Sequence, residues 1–262
     1  MKKIFAVVAL SALVATMAYA GGAPKTGING SMHDINQAAG YQDDALQRTC
    51  VFCHTPHNAI TSPLAPLWNH EVSAQNIPAY TWQSPANAAN INILPDPLMG
   101  PSRLCQSCHD GVTAVDSHGS AASTGGGSTI MTSSYVDALG NTAKRYIEDL
   151  TVTHPIGFVY DEAFTGRPGE LMPATSGFIA DGQSATLLAP AFDTREAART
   201  ASGLAVSTKT INDTLYGGIM TCASCHDVHN SVNASPVAPH NYNYFLYAQE
   251  EGSAICLSCH IK

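Results

Sequence analysis

Charged side chains are scarce in this chain. They make up 12% of its 262 residues, with 12 lysines and arginines against 20 acidic residues. A formal charge of −8 argues against nucleic acid and against anionic lipid as partners. Long apolar runs are missing after residue 20, so no later segment is expected to span a membrane. Long amphipathic helical patterns are missing too, while Gly (21) and Pro (15) are plentiful. Such a chain builds a loose core by itself, and something other than its own side chains is expected to fill the interior. Cysteine is absent outside four closely spaced pairs.

The first twenty residues stand apart. Lys2 and Lys3 precede an apolar stretch from Ile4 to Met17, and Ala18-Tyr19-Ala20 offers small residues at the −3 and −1 positions of a cleavage site. This is the pattern of a secretory signal peptide, and the fourteen apolar residues are too few for a comfortable membrane span. The expected mature chain is 21–262, exported, and carries −10 once Lys2 and Lys3 are gone.

The cysteine pairs are Cys50/Cys53, Cys105/Cys108, Cys222/Cys225 and Cys256/Cys259. A histidine follows each at once: His54, His109, His226 and His260. That is the signature of c-type haem attachment, four times over. Two thiols at this spacing bond the two vinyl groups of one porphyrin, and the adjacent imidazole becomes the proximal ligand of its iron. Disulfides do not need the histidine, a zinc ribbon does not fix it there, and a thioredoxin-like motif needs one pair only. Four covalently attached c-type haems are therefore expected.

Two of the motifs extend into a nonamer, CVFCHTPHN at 50–58 and CASCHDVHN at 222–230. A histidine three residues after the proximal one is tethered on the proximal side of its own ring. His57 and His229, as ligands, must therefore bind a different haem. Three residues of chain reach at most about 10 Å, so the two porphyrins lie near edge contact. Each nonamer is followed by a plainer motif, at 105–109 and 256–260, so the chain reads as a duplication that makes two haem pairs.

Four sixth ligands are needed. His57 and His229 supply two. His154 lies in Leu150-Thr-Val-Thr-His-Pro-Ile-Gly-Phe158, where Pro155 favours an extended backbone, and a buried strand-like setting is expected. His33 lies in Asn29-Gly-Ser-Met-His-Asp34 and is the fourth candidate, for a haem of its own chain or of another subunit, with Met32 as a weaker neighbour. His70 and His240 remain alternatives. His118, in a Ser/Gly-rich run, is expected to be solvent-exposed.

One domain is expected over 21–262: a haem pair at 50–109, a cysteine-free insertion at 111–221 and a second haem pair at 222–260. The insertion shows strand-like pieces near Thr151–Tyr160 and Thr186–Ala191, and a helix near Asp193–Ala201. Asn241-Tyr-Asn-Tyr-Phe-Leu-Tyr247 reads as an aromatic segment against a porphyrin face, or as an ordinary buried strand. The expected fold class is mostly coil with short helices and few short strands, packed around haem.

The nonamer joined to a second haem motif resembles the doubled CXXCH family of multihaem cytochromes c. The fuller set is Gly30-Ser-Met-His-Asp34, CVFCHTPHN, Thr153-His-Pro-Ile-Gly157, CASCHDVHN and a haem motif two residues from the end. It is similar to the filament-forming tetrahaem outer-surface cytochromes of metal-reducing bacteria. The resemblance implies proximal ligands His54, His109, His226 and His260. It implies distal ligands His57, His154, His229 and, in trans, His33. It also implies a head-to-tail homopolymer at the outer surface or outside the cell, at the least in the periplasm. Its partners would be other multihaem cytochromes or acceptors such as metal oxides. Such a chain moves electrons and is expected not to be an enzyme. The alternatives are a monomeric periplasmic shuttle and a multihaem reductase of a small nitrogen or sulfur compound, which needs an open iron position.

Overall fold

The computed structural model describes residues 27–38, 41, 44–59, 67–80, 92–118, 129–132, 134–136, 142–179, 206–229, 244–248 and 253–261. The signal segment, His240, Asn230, the strand-like piece at 186–191 and the helix expected at 193–201 lie outside them.

Regular structure is short throughout. Strands β1 (Ser134–Val136) and β2 (Thr142–Lys144) form an antiparallel hairpin with Ser134 opposite Lys144. Strand β3 (Phe158–Val159) pairs antiparallel with β6 (Ile219–Met220), and β4 (Gly177–Ile179) with β5 (Val206–Thr210). These are three separate two-stranded sheets. The helices are α1 (Pro101–His109), α2 (Tyr160–Gly166) and α3 (Ala254–Leu257). Mostly coil with short helices and strands is the architecture found. No helix among the described residues is long and apolar enough to cross a membrane.

Local chemistry explains why the elements stop so soon. Helix α1 starts at Pro101, whose preset φ suits the first helical position. It stops because the Asp110 carboxylate accepts from Val112 N (2.8 Å) and Thr113 N (2.7 Å), bending the chain into a turn. The attachment motifs at 50 and 222 form 3-10 turns, Thr49–Phe52 and Cys222–Ser224; those at 105 and 256 lie on α1 and on α3 with the turn after it. The serine before the second cysteine recurs as Ser107, Ser224 and Ser258, each buried. Ser107 and Ser258 both donate to the carbonyl four residues back, and Ser224 completes a capping box with Thr221.

The apolar core comes in pieces. One cluster joins Phe158, Tyr160, Leu171, Ile211, Met220, Ala248 and Ala254; a second joins Ile35, Phe52, Val115 and Met131; a third joins Ile77, Leu98 and Leu150. Two of the clusters seat attachment motifs: Cys259 packs on the first and Cys108 on the second.

Two expectations about the insertion need correction. The segment around His154 is not a buried strand: Leu150–Val152 is a 3-10 turn, the strand occupies only Phe158–Val159, and α2 begins at Tyr160. The turn swings the His154 ring out to the surface rather than into the core. His118 is not solvent-exposed. Its side chain is 10% exposed, with Nε2 3.3 Å from Asp44 Oδ1 and its ring edge-on to Phe52. The Ser/Gly composition after it says nothing about this carboxylate, which comes from 74 residues earlier.

Gly157 sets where the His154 segment leaves the sheet. Its φ is +74°, and a Cβ there would stand 2.5 Å from Pro97 Cα. Its amide donates to Met220 O (2.8 Å) and its carbonyl accepts from Leu94 N (2.7 Å), so Gly157 itself is held in place against the Pro97 backbone. Gly157→Ala is expected to destabilise the protein by about 3 kcal/mol. A thermal unfolding curve with unchanged Tm would contradict it.

Candidate haem-binding site

Each attachment histidine is gripped by a second stretch of backbone. His54 forms a bridge with Trp68, His226 with Leu246 and His260 with Leu171, while His109 O accepts from Ile147 N (2.7 Å). The grip on the two nonamers is the same. Thr55 N donates to Leu67 O and Asn69 N to Cys53 O around the first; Asp227 N donates to Phe245 O and Tyr247 N to Cys225 O around the second. The duplication thus extends beyond the motifs, to 67–69 and 245–247. Sequence reading missed this, because the gaps from histidine to bridge partner differ and the paired residues are dissimilar.

The ring nitrogens differ in what stands beside them. A carbonyl oxygen can only accept, so an Nδ1 beside one carries the proton and leaves Nε2 bare for a metal. His109 Nδ1 lies 2.6 Å from Arg145 O, His226 Nδ1 2.7 Å from Tyr244 O and His154 Nδ1 2.9 Å from Pro155 O. His33 Nδ1 is 3.4 Å from Val228 O. His70 differs. Its Nδ1 is 3.0 Å from Glu71 O and its Nε2 2.9 Å from Ala114 O, so both nitrogens are engaged. His118 spends its Nε2 on Asp44. Both nitrogens of His70 and Nε2 of His118 thus lie against protein oxygens.

Six of the eight candidate ligands meet in pairs. The ring centroids of His54 and His229 are 6.4 Å apart, those of His33 and His109 6.2 Å, and those of His154 and His260 6.1 Å. Two imidazoles on opposite faces of one iron stand about 6 Å apart between centroids, because each metal–nitrogen bond is about 2 Å and the ring centre lies ~1 Å further back. The residues present therefore fit an iron porphyrin. His33 meets His109 within its own chain. Phe245 stacks on the His33 ring at 4.6 Å, so the part of the aromatic segment that is described packs on an imidazole. Tyr244 and Phe245 have positive φ, and the segment is not a regular strand. His229 of the second nonamer meets His54 of the first, so the two nonamers interlock. His57 is exposed on its loop, and Thr55 Oγ1 caps the loop by donating to His57 O (2.8 Å).

Enclosure keeps several of these rings neutral, as a metal ligand must be. It pushes the His33 pKa down to about 4, with His109 adding to the effect, and it lowers His109. His154 is lowered as well by the chain crowding it, although its ring keeps solvent contact.

The Cys105 and Cys222 side chains are hydrogen-bonded to each other. Burial pushes the Cys53 thiol up to about 11 and Cys225 to about 12. Cys222 is lowered to about 7 by the hydrogen bond from Cys105, which rises in turn. Ser102 Oγ, on α1, accepts from Cys222 N (3.0 Å) and fixes this contact between the second and third motifs.

Among known families, the doubled CXXCH motif matches residues 217–262, which hold the third and fourth attachment motifs. No curated protein matches the chain. The family match supports a multihaem cytochrome c that binds haem covalently through Cys-x-x-Cys-His, and this is compatible with electron transfer.

Proposed function

We propose that this chain is an exported electron carrier with four covalently bound haems, each iron held between two imidazoles, and that it works as a head-to-tail polymer outside the cell. The single observation that carries the reading is the set of three imidazole pairs at 6.1–6.4 Å. Bound haem supplies a one-electron iron couple, and two histidine ligands favour a low potential. The chain's part is to hold, space and shield. His54, His109 and His260 serve as proximal ligands, opposed by His229, His33 and His154. His226 is the proximal ligand of the fourth iron.

His229 facing His54 would bring the first and third porphyrins close, and the hydrogen bond between Cys105 and Cys222 would bring the second and third close. His57, the remaining ligand candidate, faces solvent. We assign it to the fourth iron across a contact between copies, the trans role that resemblance had given to His33. Such a contact joins two different surfaces and need not close, so it makes a fibre.

The test is composition and spin state. Intact mass and haemochrome absorbance are expected to give four haems per chain. Electron paramagnetic resonance of the polymer is expected to show low-spin iron only. Two haems, or a dominant high-spin signal, would favour a reductase with an open iron instead.

A further inference from the structure

Trp68 is 7% exposed, and its indole Nε1 has no hydrogen-bond partner. A buried N–H left unpaired forfeits its hydration without return, so native chains almost always give it an acceptor. The protein surroundings do not provide one. Two imidazoles stand near it without bonding it, His54 at 6.2 Å and His70 at 6.4 Å between centroids, and both nitrogens of His70 already lie against carbonyls.

The position of this indole is fixed with respect to the attachment site. Trp68 lies directly opposite His54 in an antiparallel bridge, clamped by Thr55 N to Leu67 O and Asn69 N to Cys53 O, both 2.9 Å. Residues directly opposite in such a pair project to the same face. The Trp68 indole therefore emerges on the side taken by the His54 imidazole, 6.2 Å from it and perpendicular to it. Whatever His54 binds, Trp68 flanks. A porphyrin brings two carboxylates, which are strong acceptors for an N–H donor.

We propose that the Trp68 indole N–H anchors a carboxylate of the porphyrin held by Cys50, Cys53 and His54. This inference rests on the haem reading above. The duplicated site sharpens it. Leu246 stands opposite His226 in the same clamp and has no donor to offer. The first nonamer thus has a hydrogen bond to its porphyrin edge that its copy lacks. A donor there draws negative charge away from the ring edge and favours reduced iron, so Trp68 sets the first haem above the third in potential.

The experiment uses the haem-loaded, full-length protein with Trp68→Phe, which keeps a ring and loses the N–H. Spectroelectrochemical titration is expected to show one of the four steps lowered about tenfold in its equilibrium constant, 59 mV for one electron. The other three should hold. The carboxylate bending band of one haem in the resonance Raman spectrum should shift as well. Haem count and low-spin character should be unchanged, since His54 and His229 are untouched. The same band in the unaltered protein is expected to move on transfer to D2O, which needs no variant to fold. Four superimposed redox steps and an unmoved band, with four low-spin haems still present, overturn the anchor alone. Loss of low-spin haem from the unaltered protein overturns the parent reading and the anchor with it.

Discussion

Alanine at His33 is expected to leave four haems attached and to turn one of them high-spin. Attachment at the second motif depends on Cys105, Cys108 and His109, none of which the change touches. The opposite face of that iron would be taken by His33, 6.2 Å from the His109 ring and stacked on Phe245, which offers no nitrogen to replace it. About a quarter of the iron should therefore show the high-spin resonance of a five-coordinate or water-bound haem. Added imidazole should restore the low-spin spectrum, because the space left by His33 has the size of an imidazole. A variant that stays wholly low-spin without added base would mean that the approach of His33 to His109 is packing and not ligation. The magnitude separates this from an ordinary core defect, which would lower Tm without changing the spin state of one iron in four.

Alanine at His57 is expected to abolish polymers. His57 is exposed, and its backbone, not its ring, accepts the Thr55 hydroxyl. The substitution should therefore change the stability of the single chain by no more than about 0.5 kcal/mol. All four haems should remain attached. Electron microscopy should then find no filaments, and light scattering should report a single-chain mass. The isolated chain should have one iron that binds added imidazole. Replacing His33 should have the opposite profile, with a changed spin state in each chain and polymers retained. Filaments that persist in the His57 variant would sink its assignment in trans.

Part of this site could be read from residues alone, and the rest could not, for physical reasons that differ from residue to residue. Covalent attachment is a local reaction. Two thiols and an imidazole within five positions bring all their geometry with them, so the four motifs were legible without a fold. The reach argument for His57 and His229 is local too, since a three-residue tether limits where the ring can go. It did not say which haem. His229 meets His54 from 175 positions away, and only the interlocking of the two nonamers joins them.

The choice among the other histidines shows the limit most clearly. His33, His70, His118 and His154 are the same side chain in unremarkable surroundings. What separates them is the acceptor beside each nitrogen: a backbone carbonyl from Val228 or Pro155, two carbonyls around His70, the Asp44 carboxylate against His118. Backbone carbonyls are identical at every residue and leave no trace in the letters. The buried strand expected around His154 failed for a related reason. Apolar flanks and a proline are equally satisfied by a 3-10 turn, and the register of Phe158 against Met220 decided where the strand began. The sequence alone thus determined the chemistry of covalent haem attachment through Cys-x-x-Cys-His. Tertiary structure decided which imidazole faces which, because ligation needs two rings about 6 Å apart across one metal, and only long-range packing brings residues that distant in the chain to that separation.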